Sequence, residues 1–574
     1  MLRAFRNSGT PGWTLAAILA AAIVVSPVAA LIAIASQGSG ELWPQLIAYV
    51  LPSAATNTAI LLLGVGLLTT LIGAGTAWLV ATAEFPGRKF FDWALLLPLA
   101  IPTYILAYAY LDIVHPLGPI QSFLRALFGL TDPRAIWFPE IRSMGGVIFL
   151  LGFVLYPYVY LAARASFLMQ SATALEAARM LGAGRFEILF RVALPLARPA
   201  IVVGVTLALL EALNDIGATE FLGVRTLTIA IYSTWLNRSS LPGAAQISLF
   251  MLAIVVLLFL IERWARKHQR FSGGGKRAQP PAPVELRGTK AFAAFIACSL
   301  PLTVGFLVPF SYLADQATRK LASSGISLMI WRETVNTLLY AGIATLATLL
   351  VGLAVAYALR SDKSGLASSA SRIASVGYAI PGTVLAVGLL WPLAAFDNAI
   401  DASMRQWFGF STGLLISGSG AALVLAYTIR FLAMSINGTE AGYAKISENI
   451  DYAARSLGES SFGTLRRIHL PMLRPVLGAA AILVFVDCMK ELPATLMLRP
   501  FGVETLATHI YAAAVRGSYE DGSAAATLLV LAALSRDAFV GGVSVFWLLL
   551  IVTSFFVEGN FAVVGPYSAE LWPS

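Results

Sequence analysis

The chain has 574 residues, of which 58% are hydrophobic and only 12% charged, with a mean hydropathy of +0.79. A soluble globular domain carries about 25% charged residues, so these figures exclude a water-soluble protein and point to one that crosses the membrane many times. The net charge of +9 does not describe a nucleic-acid groove, because Lys and Arg are scattered over several polar segments between apolar runs.

A helix crossing the hydrocarbon needs roughly 20 mostly apolar residues. Arg3, Arg6, an apolar run and Ala33-Ile34-Ala35 have the outline of a cleavable secretory signal. The run over 13–36 is too long for a signal core, however, and is expected to stay as a first helix. Further runs lie near 57–83, 92–112, 144–163, 199–222 and 244–262, then 291–313, 334–359, 373–396, 412–432 and 475–498. The C-terminus is ambiguous: a twelfth helix is expected near 523–541, but Arg536-Asp537 interrupts it and a further hydrophobic segment covers 538–557. Turn-rich polar segments separate the runs, which suits helices and not the roughly 10-residue alternating strands of an outer-membrane barrel. The fold class is therefore an all-α polytopic membrane protein with about 12 transmembrane helices. Lys and Arg concentrate in the segments sharing a side with the N-terminus, which the positive-inside rule makes cytoplasmic. Lys490 and Arg536 stand apart, inside apolar stretches.

Residues 263–290, with Gly/Ser and Pro/basic tracts, read as a flexible cytoplasmic linker. It divides the chain into a first transmembrane domain, 1–262, and a second, 291–574. An even number of crossings in each makes the two tandem six-helix repeats parallel in orientation. Gly274-Gly275-Lys276 lacks the G-x4-G-K-[ST] frame of a phosphate loop. Cys298 and Cys488 sit far apart in apolar runs, and the four His are isolated, so neither a disulfide framework nor a permanent metal site is expected. Catalytic signatures such as HExxH are also lacking, so no catalytic residues are assigned and the chain is not expected to be an enzyme.

A polar motif occurs twice at a constant interval, in loops spanning 171–198 and 447–474. Glu176-Ala177-Ala178, Arg179, Gly182 and Leu194-Pro195 match Tyr452-Ala453-Ala454, Arg455, Gly458 and Leu470-Pro471, with Asp451 just before the second copy. Good helix formers from Leu175 to Leu181 lead to Gly182, which is suited to a left-handed C-cap. A second helix beginning at Phe186 is expected to close at Pro195 before the fifth membrane helix. Beyond each loop, Glu211 and Asp215 fall four apart on the fifth helix, and Asp487 and Glu491 occupy the equivalent positions, with Lys490 adjacent. Intramembrane carboxylates usually face a bundle interior or a watery path. Here they either line a route for a hard cation or pair with Lys490 and helix ends to lock the halves together.

The repeated motif resembles the coupling loop of ABC-importer permeases, in the group with two fused binding-protein-dependent transport domains. The stretch from Lys490 to Leu496, followed by Arg499-Pro500-Phe501-Gly502 and Thr505-Leu506-Ala507, is similar to ferric-iron importer permeases. Thiamine, polyamine and sulfate permeases share the architecture and remain alternatives, as does an autonomous secondary transporter. The resemblance implies a bacterial inner-membrane subunit that binds no cofactor itself. Its implied partners are membrane lipid, a periplasmic binding protein and two copies of a cytoplasmic ATPase carrying ATP-Mg, with no nucleic acid. The ATPase contacts would be Glu176, Ala177, Ala178, Arg179, Gly182, Leu194 and Pro195, and Asp451, Ala453, Ala454, Arg455, Gly458, Leu470 and Pro471. Tyr452 stands where the family usually has Glu.

Overall fold

A computed structural model describes residues 11–133, 136–170, 180–182, 184–266, 283–325, 327–362 and 365–534, together with 539–540 and 543–544. The described residues are overwhelmingly helical. Ten helices are long and apolar enough to cross a membrane, or 11 if one bent pair is counted as a span. The final helix, Tyr519–Leu534, has 16 residues and ends before the expected interruption at Arg536. Of the hydrophobic segment 538–557, only the antiparallel pairing of Phe539–Val540 with Val543–Ser544 is described.

Two of the expected spans are broken at an Ile-Pro dipeptide, for a shared local reason. The run near 92–112 divides into Arg88–Ala100 and Thr103–Ile113, bent by 89°. Its counterpart near 373–396 divides at the same dipeptide, with Gly382–Phe408 following the break. Proline disfavours the helical conformation in the residue before it. Ile101 and Ile380, preceding Pro102 and Pro381, are accordingly extended, with ψ of 112° and 119°.

Prolines placed early in long helices act differently. Leu51-Pro52, Leu194-Pro195, Val308-Pro309 and Leu470-Pro471 each follow a single π-helical turn. The proline ring crowds the carbonyl four residues back and offers no N–H, and one wider turn absorbs both defects. Pro195 and Pro471 therefore do not close the helix before them, contrary to the expectation. The chain runs unbroken through the turn, so that Leu189–Asn214 and Ser461–Lys490 are continuous spans.

The first helix of each half packs on the other half. Pro11–Ser36 lies against Leu328–Ser361, Leu366–Ala374 and Gly382–Phe408. Trp13 meets Tyr357 edge-on at 5.1 Å, and Gly388 lies so close to Pro27 that a Cβ would come within 2.5 Å of its carbonyl oxygen. Reciprocally, the turn Thr303–Leu307 packs on the first half, where Tyr110 donates to the Val304 carbonyl at 2.8 Å and Gly305 abuts Phe153, while the helix Val308–Ser324 after it packs mainly on Tyr519–Leu534 of its own half. A two-residue parallel ladder, Ala83–Glu84 with Val284–Glu285, fastens the second half's entry strand to the end of the Leu51–Thr82 helix.

The same hydrogen bonds recur in the two halves. Asn57 donates to the Arg225 carbonyl and Asn336 to that of Glu504, both at 3.0 Å. The Thr58 and Thr337 hydroxyls accept from Leu227 and Leu506 N–H at 3.0 and 2.9 Å.

Candidate functional site: paired coupling loops and a central charged cavity

The second loop is described throughout. The helix Asn449–Ser456 ends at Gly458, whose φ is +82°. Gly458 N–H donates to the Arg455 carbonyl and Glu459 N–H to that of Ala454, both at 3.0 Å. This is the Schellman closure, with glycine in the position that needs a left-handed conformation. Ser460 then caps the next helix by accepting from Gly463 N–H at 3.0 Å. In the first loop, Glu176, Ala177, Ala178 and Arg179 lie outside the described residues, but Gly182 shows the same conformation, φ +85°.

Two of the expected contact residues face inward. Asp451 is paired with Arg360 at 2.7 Å and lies 2.7 Å from buried His469. Arg360 also donates to the carbonyls of Tyr443, Ile446 and Ser447 and stacks on the Tyr443 ring. Ala454 is buried, so its small size serves packing within the chain. Asp451 and Ala454 therefore fix the loop to the base of the bundle, while Ala453, Arg455, Gly458, Leu470 and Pro471 are exposed. The sequence reading missed two apolar groups: Leu181 and Leu457, each just before its left-handed glycine, are 88% and 84% exposed. Their identical position before Gly182 and Gly458 was the available signal.

The five membrane charges meet in one place. Glu211, Asp215, Asp487, Lys490 and Glu491 line a single cavity of about 110 Å³ where the two halves face each other. This is room for a few waters. Glu211 and Asp215 do not share one helix face, because the helix ends at Asn214 and Asp215 is extended at ψ 127°. Glu491 is likewise extended at ψ 122°, after the helix Leu470–Lys490. Each carboxylate then caps the short helix beyond the break. Thr219 N–H donates to Asp215 Oδ1 at 2.9 Å, and Thr103 donates to Oδ2. Ala494 and Thr495 N–H donate to the two Glu491 oxygens at 3.0 and 3.1 Å.

Glu211 and Asp487 are not used in this way. Glu211 accepts from the Tyr378 hydroxyl at 3.0 Å, and Asp487 pairs with Lys490 at 2.8 Å. Arg430 was not anticipated, although a charge within an apolar run was visible. Its Nη1 donates to Asn214 Oδ1 at 3.1 Å and lies 3.7 Å from Glu491, joining the two halves across the cavity. Four carboxylates against two cations leave the lining negative. Among the described residues, no group of three or more His, Cys, Asp or Glu side chains is arranged to hold a metal ion.

Broken membrane helices whose unwound turns surround a charged cavity are a recurring plan for solute pathways. Each of the breaks at Asp215 and Glu491 also lies at the end of a 21-residue helix that begins in one of the two repeated loops. Residues 70–270 match the family described as the inner membrane component of binding-protein-dependent transport systems. The Fe(3+)-transport system permease protein FbpB 2 of Haemophilus influenzae is 24% identical, over 83% of this chain and 87% of that protein. The putative ferric transport system permease protein FbpB 1 of the same organism is also 24% identical, over 77% and 70%. The molybdenum transport system permease protein ModB of Escherichia coli is 30% identical over 34% of this chain and 86% of that protein. This multi-pass chain belongs to the family of inner membrane components of binding-protein-dependent transport systems.

Proposed function

We propose that the chain is the permease of an ATP-driven importer that carries ferric iron inward from a periplasmic binding protein. ATP is hydrolysed by two copies of a separate cytoplasmic subunit, one seated on each coupling loop, with the N-terminus on that same side. The observation that carries this reading is the convergence of Glu211, Asp215, Asp487, Lys490 and Glu491 on one cavity, connected to the loops by continuous helices. Oxygen donors of this type suit a hard cation. Relatives named for molybdenum transport raise a second cargo reading, and the negative lining favours a cation over any anionic cargo.

The decisive measurement is uptake of radiolabelled ferric iron by vesicles containing this chain, its ATPase and a ferric-loaded binding protein. ATP-dependent uptake is expected, with two ATPase subunits per permease in the purified complex. Uptake without the ATPase, or one ATPase per permease, overturns the reading.

A further inference from the structure

The two halves build the cavity from equivalent positions carrying unequal charge. Glu211, Asn214 and Asp215 in the first half stand where Asp487, Lys490 and Glu491 stand in the second. Val154 and Leu155 correspond in the same way to Arg430 and Phe431. Every carboxylate thus has a carboxylate counterpart, while both cations come from the second half.

The two cations are bound differently. Arg430 is 6% exposed and committed to Asn214 and the capping carboxylate Glu491. Lys490 instead pairs along its own helix with Asp487, which caps nothing, and its side chain keeps 28% of its exposure. Two other polar groups of the lining, the Tyr104 hydroxyl and Arg430 Nε, are buried with no hydrogen-bond partner among the described residues. Both groups have a hydrogen bond to offer to water or another oxygen-bearing partner in the cavity.

We propose that Lys490 is a tethered counter-ion that limits how long a cargo cation stays in the cavity. Its ammonium occupies Asp487 at rest, yields to the arriving ion, and reclaims the carboxylate as the ion leaves. The proposal rests on the cation-path reading above and explains how four carboxylates could pass a multivalent ion without trapping it. Charges in a low-dielectric wall bind strongly, whereas conduction needs binding weak enough for release. A point charge on a flexible four-carbon stem can swing away and return, and the three-residue spacing keeps it on Asp487's side of the helix.

Lys490→Asn is the informative variant, because the first half already has Asn214 at this place beside the same kind of helix break. The permease–ATPase complex is purified with wild-type or variant permease and dialysed to equilibrium against ferric citrate, gallium(III) citrate and manganese(II) in turn. Lys490→Asn should retain at least one of these ions roughly tenfold more tightly than wild type, with slower uptake per transporter. The double variant Lys490→Asn/Asp487→Asn should return retention to the wild-type level. Three ions are used so that a pathway for a different cation still shows the effect. If wild-type vesicles take up no ferric iron while Lys490→Asn retains another of the ions, the cargo assignment falls and the counter-ion stands. The counter-ion is overturned if Lys490→Asn, assembled with its ATPases, retains none of the three above wild type. It is equally overturned if the double variant retains as much as the single one.

Discussion

At the scale of single residues, the four membrane carboxylates separate into two jobs. Asp215 and Glu491 hold the helix breaks in shape, while Glu211 and Asp487 present carboxylates whose partners are a phenol and a lysine. Loss of a helix cap costs about 1 kcal/mol, so Asp215→Ala and Glu491→Ala should each lower the Tm of the purified permease. Glu491→Ala should lower it further, because it also removes the carboxylate 3.7 Å from Arg430 and leaves that buried cation less compensated. Glu211→Gln and Asp487→Asn should instead leave the Tm nearly unchanged and slow ferric uptake per folded molecule several-fold. Equal Tm losses in all four would make every carboxylate architectural. The chemical identity of these groups was legible in the sequence, but their division of labour was not. Four-residue spacing implied one continuous helix face, and only the extended conformations of Asp215 and Glu491 show that the helix stops between the two members of each pair.

At the scale of elements, the second repeated loop is a corner closed by glycine. Gly458 sets the turn, and a Cβ there would meet nothing within 4 Å. Any penalty for substitution thus comes from the backbone conformation and not from crowding. A left-handed conformation costs an ordinary L-residue roughly 1–2 kcal/mol, and Asn tolerates it best among non-glycines. Gly458→Asn should therefore keep ATP hydrolysis coupled to uptake, whereas Gly458→Val should uncouple them with insertion intact. The ratio of ATP hydrolysed to iron transported, measured in vesicles, separates the two outcomes. Asp451→Ala tests the other anchor. It leaves Arg360 without the carboxylate it pairs with, a loss of about 3–5 kcal/mol when such a pair is buried, and should make the loop more susceptible to limited proteolysis. The glycine turn was readable because its chemistry is local. The inward direction of Asp451 was not, since its partner Arg360 lies on a distant helix and the pairing exists only after packing.

At the scale of the whole molecule, the exchanged first helices make the halves mutually dependent. Pro11–Ser36 packs mainly on the second half, and the turn Thr303–Leu307 packs on the first. Either half expressed alone should accumulate poorly, while separate chains for 1–266 and 283–574, produced together, should assemble and transport. Co-purification of the two fragments is the measurement, and a stable solitary half would show that the exchange is dispensable. The number of membrane passes was broadly legible because apolar length is a composition property. The exchange was not, because hydropathy records how long a helix is and not which neighbour it chooses. The breaks at Ile101-Pro102 and Ile380-Pro381 were available in the sequence as paired dipeptides, masked by the apolar runs around them.

The unbroken helices from Leu194 to Asn214 and from Leu470 to Lys490 also have the geometry of levers. At 1.5 Å per residue each arm is about 30 Å long, so a tilt of roughly 6° about its π turn sweeps the far end through about 3 Å. That travel is comparable to the width of a water molecule, and both arms end in the lining of the same small cavity. A modest angular motion at the loops would therefore reach the cavity as a displacement scaled by helix length. Removing a full turn from one arm would withdraw its charges from the cavity by about 5.4 Å, so uptake per folded transporter should fall while the docking surface stays intact.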